Sequence, residues 1–156
     1  MNNKNIYYFT YEDVLDVYAR TIDKSGGGFI GVRDEGGIKL VVDFVQNDTY
    51  YPDFATKLTY IVFRFCSGHF FNDGNKRISL TLGAYFLHIN RHNWAAVTFM
   101  KRMEAIVYHI AKGNIDEELL LPIIQAIIAC TDFSESLKIS ITEAIRPTQK
   151  NIEDNV

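Results

Sequence analysis

Cysteine, proline and long apolar runs are scarce in this 156-residue chain. It has two cysteines and three prolines. Cys66 and Cys130 are far apart and outside any CxxC pair, which indicates neither a disulfide framework nor a zinc site. Both lie in apolar helical patterns, so we expect buried free thiols. The most apolar stretch, LLLPIIQAIIAC, is broken by Pro122 and Gln125 and is too short to span a bilayer, for which 18 or more apolar residues are needed.

An excess of positive charge is also missing. Lysine and arginine number 16 against 19 aspartates and glutamates, giving a formal net charge of −3. That balance argues against a general nucleic-acid coat but leaves a local basic site open. We expect neither nucleic-acid nor membrane partners. The first residues, MNNKNIYYFTYED, lack the apolar centre of a secretory leader. The sequence therefore predicts a cytoplasmic protein.

Apolar residues make up 47% of the chain, an ordinary globular composition, and their spacing is helical. The segment 77–90 is apolar nearly all round and predicts a central buried helix. For 38–46 we prefer a helix over a strand. We expect one compact all-α bundle over 1–146 and a polar, frayed tail over 147–156. The other predicted helices are 11–24, 54 to about 68, about 99–110 closed by Gly113, and 136–146. Asn114 and Glu117 resemble a capping box that opens a further helix, running to about Cys130 with a bend at Pro122.

One connection between predicted helices concentrates polar chemistry: His69-Phe70-Phe71-Asn72-Asp73-Gly74-Asn75-Lys76-Arg77. Gly74 permits a tight turn directly before a helix, whose N-terminus offers free amides and a positive dipole. Asn75, Lys76 and Arg77 add donors and charge at the same end. The segment therefore predicts an anion cradle, most simply for phosphate.

Two further residues flank this cradle. Asp73 is a hard oxygen ligand suited to a Mg²⁺ that bridges phosphates. His69 is placed to accept a proton from a hydroxyl at neutral pH. Phe71 is expected to anchor the loop. The competing interpretation is an ordinary polar turn with solvated charges and a capping histidine.

The loop resembles the signature of the Fic/Doc family, HxFx(D/E)GN(G/K)R. The upstream segment GGGFIGVRDEGGI is similar to the Gly-rich Arg-Asp segment of the Doc, or death-on-curing, branch. The likeness covers roughly residues 10–95. It implies an all-helical bundle in which the loop opens onto the N-terminus of a central helix.

The resemblance also implies site roles. The family transfers a phosphate-containing group, usually AMP from ATP, to a hydroxyl of a target protein. His69 would be the general base and Asp73 would hold Mg²⁺. Arg33 and Asp34 would either help to dock the target at the mouth of the pocket or stabilise a Gly-rich turn. Nucleotide and phosphate contacts would come from Asn72, Gly74, Asn75, Lys76 and Arg77.

Two departures from the commoner Fic string favour the Doc branch. Lys76 replaces a glycine, and Leu80 stands where adenylylating members usually carry a second arginine. Doc toxins bind ATP reversed and transfer its γ-phosphate, so we favour phosphorylation of a target protein. Adenylylation remains the alternative. A catalytically silent nucleotide-binding module and an enzyme acting on small molecules are the other hypotheses.

The sequence says less about how the protein is regulated and about its remaining polar residues. A Doc-like toxin implies an antitoxin partner and a target such as the translation machinery. A weaker match, Thr131 to Glu135, resembles the inhibitory motif of some Fic proteins. We expect structural or surface roles for the other histidines, a core position for Trp94 and a solvated Arg64. The other histidines are His88, His92 and His109.

Overall fold

The computed structural model describes residues 5–28 and 31–155, with backbone only for 148–150. Within these residues there are helices and no strand; Val32 and Phe71 form an isolated antiparallel bridge. The all-α prediction is confirmed. The helices are α1 Tyr11–Lys24, α2 Glu35–Phe44, α3 Phe54–Ser67, α4 Asn75–Ile89, α5 Asn93–Ala111, α6 Glu117–Ile128 and α7 Glu135–Glu153.

Helix α4 is the centre of the bundle, as its apolar circumference predicts. It packs against α1, α3 and α5, and Leu82 on it is fully buried. Phe86 stacks on Phe54 of α3 with ring centroids 4.9 Å apart. Each such side chain stabilises the fold by about 1.5–3 kcal/mol through burial. The core therefore fixes the direction in which the N-terminus of α4 points.

Helix α2 confirms the helical interpretation of 38–46 but begins three residues earlier, because Asp34 caps it. The Asp34 carboxylate accepts the Gly37 amide at 2.8 Å. The predicted capping box at Asn114 was wrong: α6 begins at Glu117, and the Asp116 carboxylate caps it by accepting the Leu119 amide at 2.8 Å. The predicted end of the last helix at 146 was also wrong, since α7 continues to Glu153 with Pro147 inside it. Pro147 is exposed, and it lacks only one intrahelical donor there. The division into 1–146 and 147–156 stays a prediction.

Three side chains lie elsewhere than expected. Trp94 is 78% exposed, because it occupies the first turn of α5 on the face opposite buried Phe99. Cys130 is exposed just past the end of α6. Arg64 is not simply solvated: α3 packs on α6 as well as α4, which leaves its Nε buried without a hydrogen-bond partner in the described residues. Tertiary packing decided all three.

Among the described residues, no helix combines the length and apolar character needed to cross a bilayer.

Candidate active site

The segment between α3 and α4 reverses direction at Gly68 and His69. His69 has a left-handed backbone, with φ 52°, a region in which histidine is enriched among non-glycine residues. A Cβ on Gly68 would lie 2.7 Å from the ring of buried Phe70, so only glycine fits at this position. The turn leaves the His69 side chain exposed at the mouth of a pocket. It therefore places the imidazole where a substrate can reach it.

Gly74 opens the N-terminus of α4. Its φ is +80°, and it provides no side-chain cap for the helix. A Cβ there would lie 2.7 Å from Ile22 Cδ1, and the positive φ favours glycine, so another residue at this position would be strained. Ile78 donates to the Gly74 carbonyl, but the amides of residues 75–77 make no hydrogen bond within the described part of the chain. Free amides at a helix N-terminus can bind an anion, which is the role that the sequence predicts for this end of α4.

Asn75 holds the loop in shape. Its side-chain amide donates to the Phe71 carbonyl at 3.0 Å, and its Oδ1 accepts the Phe71 amide at 3.1 Å. Phe71 is buried, as expected of an anchor, and stacks on Tyr18 with ring centroids 3.8 Å apart. The Tyr18 hydroxyl donates to the Asp73 carbonyl at 2.9 Å. Asn75 thus shapes the anion site through its clamp on the loop and its own backbone amide.

Asp73 and Arg77 form an ion pair beside these amides. Arg77 Nη2 lies 3.3 Å from Asp73 Oδ2, with side chains 33% and 50% exposed respectively. Asp73 Oδ1 accepts the Gly74 amide at 2.7 Å. A pair this exposed stabilises the fold by at most about 1 kcal/mol. The pair can therefore open at little cost. Arg77 can exchange Asp73 for a phosphate, and Asp73 can exchange Arg77 for a cation.

The expected Mg²⁺ would need oxygen ligands at this end of α4. In residues 5–28 and 31–155 no group of three or more histidine, cysteine, aspartate or glutamate side chains is arranged so that it could hold a metal ion. Asp73 alone among the pocket residues carries a carboxylate. Mg²⁺ is commonly held by one or two carboxylates together with substrate phosphates. The residues fit an ion that arrives with a phosphate ligand.

A pocket of about 230 Å³ unites the predicted residues, with His69, Asp73 and Arg77 on its walls. Cys66 forms part of its lining, and burial raises the pKa of that thiol to about 11, against a smaller lowering by Lys76. Burial therefore favours the thiol over the thiolate, and the Cys66 Sγ donates to the Val107 carbonyl at 3.2 Å. The complete lining is Cys66, His69, Asn72, Asp73, Gly74, Asn75, Lys76, Arg77 and Ala111.

The Arg-Asp segment lies directly beside the loop. Arg33 donates its amide to the Phe70 carbonyl at 2.8 Å, and the Asn72 amide donates to the Gly31 carbonyl at 3.0 Å. Asp34, predicted to dock a target, has its carboxylate engaged in capping α2, while the Arg33 side chain is exposed. Phe29 and Ile30, which belong to the same segment, lie outside the described residues.

The turn after α1 also contacts the site, which sequence reasoning missed. Arg77 Nη1 donates to Ser25 Oγ at 2.6 Å and to the Gly27 carbonyl at 3.3 Å. From the sequence, Ser25-Gly26-Gly27-Gly28 predicts the end of a helix, and its glycines belong to the segment that resembles the Doc branch. Neither signal predicts the contact with Arg77, which depends on how α1 packs against α4.

The remaining polar candidates lie elsewhere. Ser134 caps α7, and Glu135 is exposed and pairs with Lys138 at 3.1 Å, so this segment contributes nothing to the pocket lining. The other histidines have structural neighbours. His88 contacts Asn93, His92 stacks on Phe54, and His109 contacts Asn114.

These features define a class: a helical protein whose central helix presents an open, cation-flanked N-terminus beside an accessible histidine. A family model, the Fic/DOC family, matches residues 8–87, which is half of the chain and includes the entire loop. The chain belongs to the Fic/DOC family, whose members are typically transferases that act on proteins. No curated protein sequence matches it.

Proposed function

We propose that this protein transfers the γ-phosphoryl group of ATP to a hydroxyl side chain of a target protein. One observation carries the proposal: the exposed His69 imidazole shares a small pocket with the unpaired amides of α4 and the Asp73–Arg77 pair. A base, an anion site and a cation ligand are the parts that phosphoryl transfer requires. Asn72 and Lys76 complete the walls of the same pocket.

The chemistry needs little covalent participation by the protein. His69 accepts the proton of the target hydroxyl as its oxygen attacks the γ-phosphorus. A new oxygen–phosphorus bond forms, the bond to the leaving ADP oxygen breaks, and Arg77 and the α4 amides offset the charge on the phosphate oxygens. Mg²⁺, when bound with the nucleotide, supplies further positive charge, and Asp73 would hold it.

Lys76 and Leu80 support γ-phosphoryl transfer over AMP transfer. The Lys76 side chain is exposed and makes no hydrogen bond or ion pair within the described residues, so its charge is available to phosphate. Leu80 is half-buried against the core and offers no charge one turn further along α4. Cations concentrated at the first turn favour a triphosphate whose γ end lies there.

The partners follow from the same proposal. The exposed Arg33, held beside the loop through its backbone, is placed to contact a target segment entering the pocket. The proposed biological setting is a Doc-like toxin in the cytoplasm, restrained by an antitoxin and directed at the translation machinery.

The test uses bacterial lysate, Mg²⁺ and ATP labelled separately at the α- and γ-phosphates. We expect a γ-labelled protein band that disappears with His69→Ala. His88→Ala is the matched control, because His88 is also an exposed histidine. It lies near the C-terminal end of α4, about 20 Å along the helix from its N-terminus. It should leave the band intact.

Four outcomes would contradict parts of the proposal. An α-labelled band would establish AMP transfer instead of phosphoryl transfer. Equal labelling by the wild type and a folded His69→Ala variant would overturn His69 as the base. ATP binding without transfer to any protein, in lysates from several bacteria, would favour a silent module, and a labelled small product would favour a metabolic enzyme.

A further inference from the structure

We infer that Ser25 is a positioning residue that holds the Arg77 guanidinium at the phosphate site. The inference rests on the proposed function, since it assigns a purpose to Arg77 as a phosphate ligand. It adds the turn after α1, in which Ser25 lies 52 residues before Arg77, to the proposed nucleotide-binding machinery.

The hydrogen bonds of Ser25 are directional. Its hydroxyl donates to the Thr21 carbonyl at 2.8 Å, one helical turn earlier on α1. The proton is thereby committed to the helix, and the oxygen lone pairs remain to accept from Arg77 Nη1 at 2.6 Å. A short bond from a charged donor is among the stronger hydrogen bonds in proteins. Alanine would lose it, whereas threonine offers the same hydroxyl.

The turn that follows is built closely around the same pair. The Gly27 carbonyl accepts a second bond from Arg77 Nη1 at 3.3 Å. A Cβ on Gly28 would lie 2.8 Å from Asp73 Oδ2, and the Gly28 φ of +152° is one that other residues rarely adopt. The glycines therefore let the backbone come close to the Asp73–Arg77 ion pair. Glycines that served only as a flexible linker would not need to lie so close to it.

Holding Arg77 has a direct consequence for binding. Arginine has many rotamers, and fixing one of them before the ligand arrives removes an entropic cost from association. Ser25 and Gly27 hold one edge of the guanidinium, while Nη2 faces Asp73 across the pocket wall. Exchange of the Asp73 contact for a phosphate then needs little movement of the arginine.

The experiment is a double-mutant cycle in ATP affinity, measured by calorimetric titration with Mg²⁺. We expect Ser25→Ala to weaken ATP binding about tenfold, because a bond to a charged group is lost. Ser25→Thr should restore affinity to within about twofold. In an Arg77→Ala background, Ser25→Ala should cause no further loss, since it acts only through the arginine.

A structural role for Ser25 makes a different prediction. If it only ended α1, Ser25→Ala would lower thermal stability and would weaken ATP binding equally with or without Arg77. Ser140→Ala is the matched control, because Ser140 Oγ also donates to a carbonyl one turn earlier, on α7. It should leave ATP affinity unchanged.

The two proposals fail separately. Unchanged or tighter ATP binding in Ser25→Ala, with Arg77→Ala still weakening it, would overturn the inference and spare the proposed function. Unchanged binding in Arg77→Ala would overturn both. Thermal melts of every variant show whether a loss reflects unfolding, and Ser25→Thr keeps the test decisive if Ser25→Ala is unstable.

Discussion

The N-termini of α3 and α4 are built in opposite ways. At α3, the Asp53 carboxylate accepts the Thr56 amide at 2.8 Å, and the Thr56 hydroxyl accepts the Asp53 amide at 3.2 Å. Two otherwise unpaired donors are thereby satisfied within the helix itself. At α4, Gly74 supplies no side-chain cap and leaves the amides of the first turn free. The closed end of α3 is capped by its own side chains, whereas the open end of α4 keeps its first-turn amides free of partners among the described residues.

Charge makes the contrast sharper. The first turn of α1 carries Glu12 and Asp13, which complement the positive end of the helix dipole. The first turn of α4 carries no acid and has Lys76 and Arg77 instead. Cations at a helix N-terminus are unfavourable unless an anion binds there. α5 also begins without a side-chain cap, but no cation lies in its first turn, so the missing cap alone does not make a site.

The largest effect is expected from His69→Asn, which removes the base beside the open end. Asparagine tolerates the left-handed backbone that His69 adopts, so the loop should keep its shape. We expect the rate of transfer to the target to fall about 10²–10⁴-fold. ATP affinity should change by less than about threefold, because phosphate binding resides in α4. Labelling kinetics and titration calorimetry measure the two separately. A large loss of affinity would show that His69 binds nucleotide rather than acting as the base.

Gly74→Asp would close the open end. Aspartate tolerates positive φ, and its carboxylate would occupy the anion site as Asp53 does at α3. We expect ATP binding to weaken more than about a hundredfold through charge repulsion and lost amides. Gly74→Ala separates the causes, because it adds the contact with Ile22 without the charge. Equal losses in both variants would attribute the effect to steric strain.

Much of this contrast could be predicted from sequence, because caps and glycine turns are local. Gly74 directly before an apolar helix indicates an open, donor-rich end, and His69 through Arg77 are close in the chain, so their convergence on one pocket follows from a single turn. What could not be predicted depends on packing between distant segments. Ser25 reaches Arg77 only because α1 packs on α4, and α6 covers the face of α3 that bears Arg64.

Removing the cap at the closed end of α3 should have a smaller effect, and on stability alone. Asp53→Ala removes the capping carboxylate of α3, which should lower stability by about 1 kcal/mol. For a protein of this size the melting temperature would fall by about 2–4 °C. ATP affinity should stay within about twofold of wild type, since α4 is untouched. Calorimetric melting and nucleotide titration provide the comparison. A matching loss of ATP affinity would mean that the closed end also supports the site.

The smallest effect, and the most informative about the open end, is expected from Lys76→Gln. Removing this cation relieves its repulsion by the dipole of α4, which should stabilise the ligand-free protein by about 0.3–1 kcal/mol. The same change should weaken ATP binding, because one cation leaves the phosphate site. Lys101→Gln, an exposed lysine within α5, is the control and should alter neither quantity. The order of the two melting temperatures should therefore reverse when ATP is added. Without ATP the variant should melt above the wild type, and at an ATP concentration that saturates the wild type it should melt below it. If Lys76→Gln instead melted below the wild type without ATP, Lys76 would stabilise the fold. The cation at the open end of α4 would then not reduce the stability of the ligand-free protein.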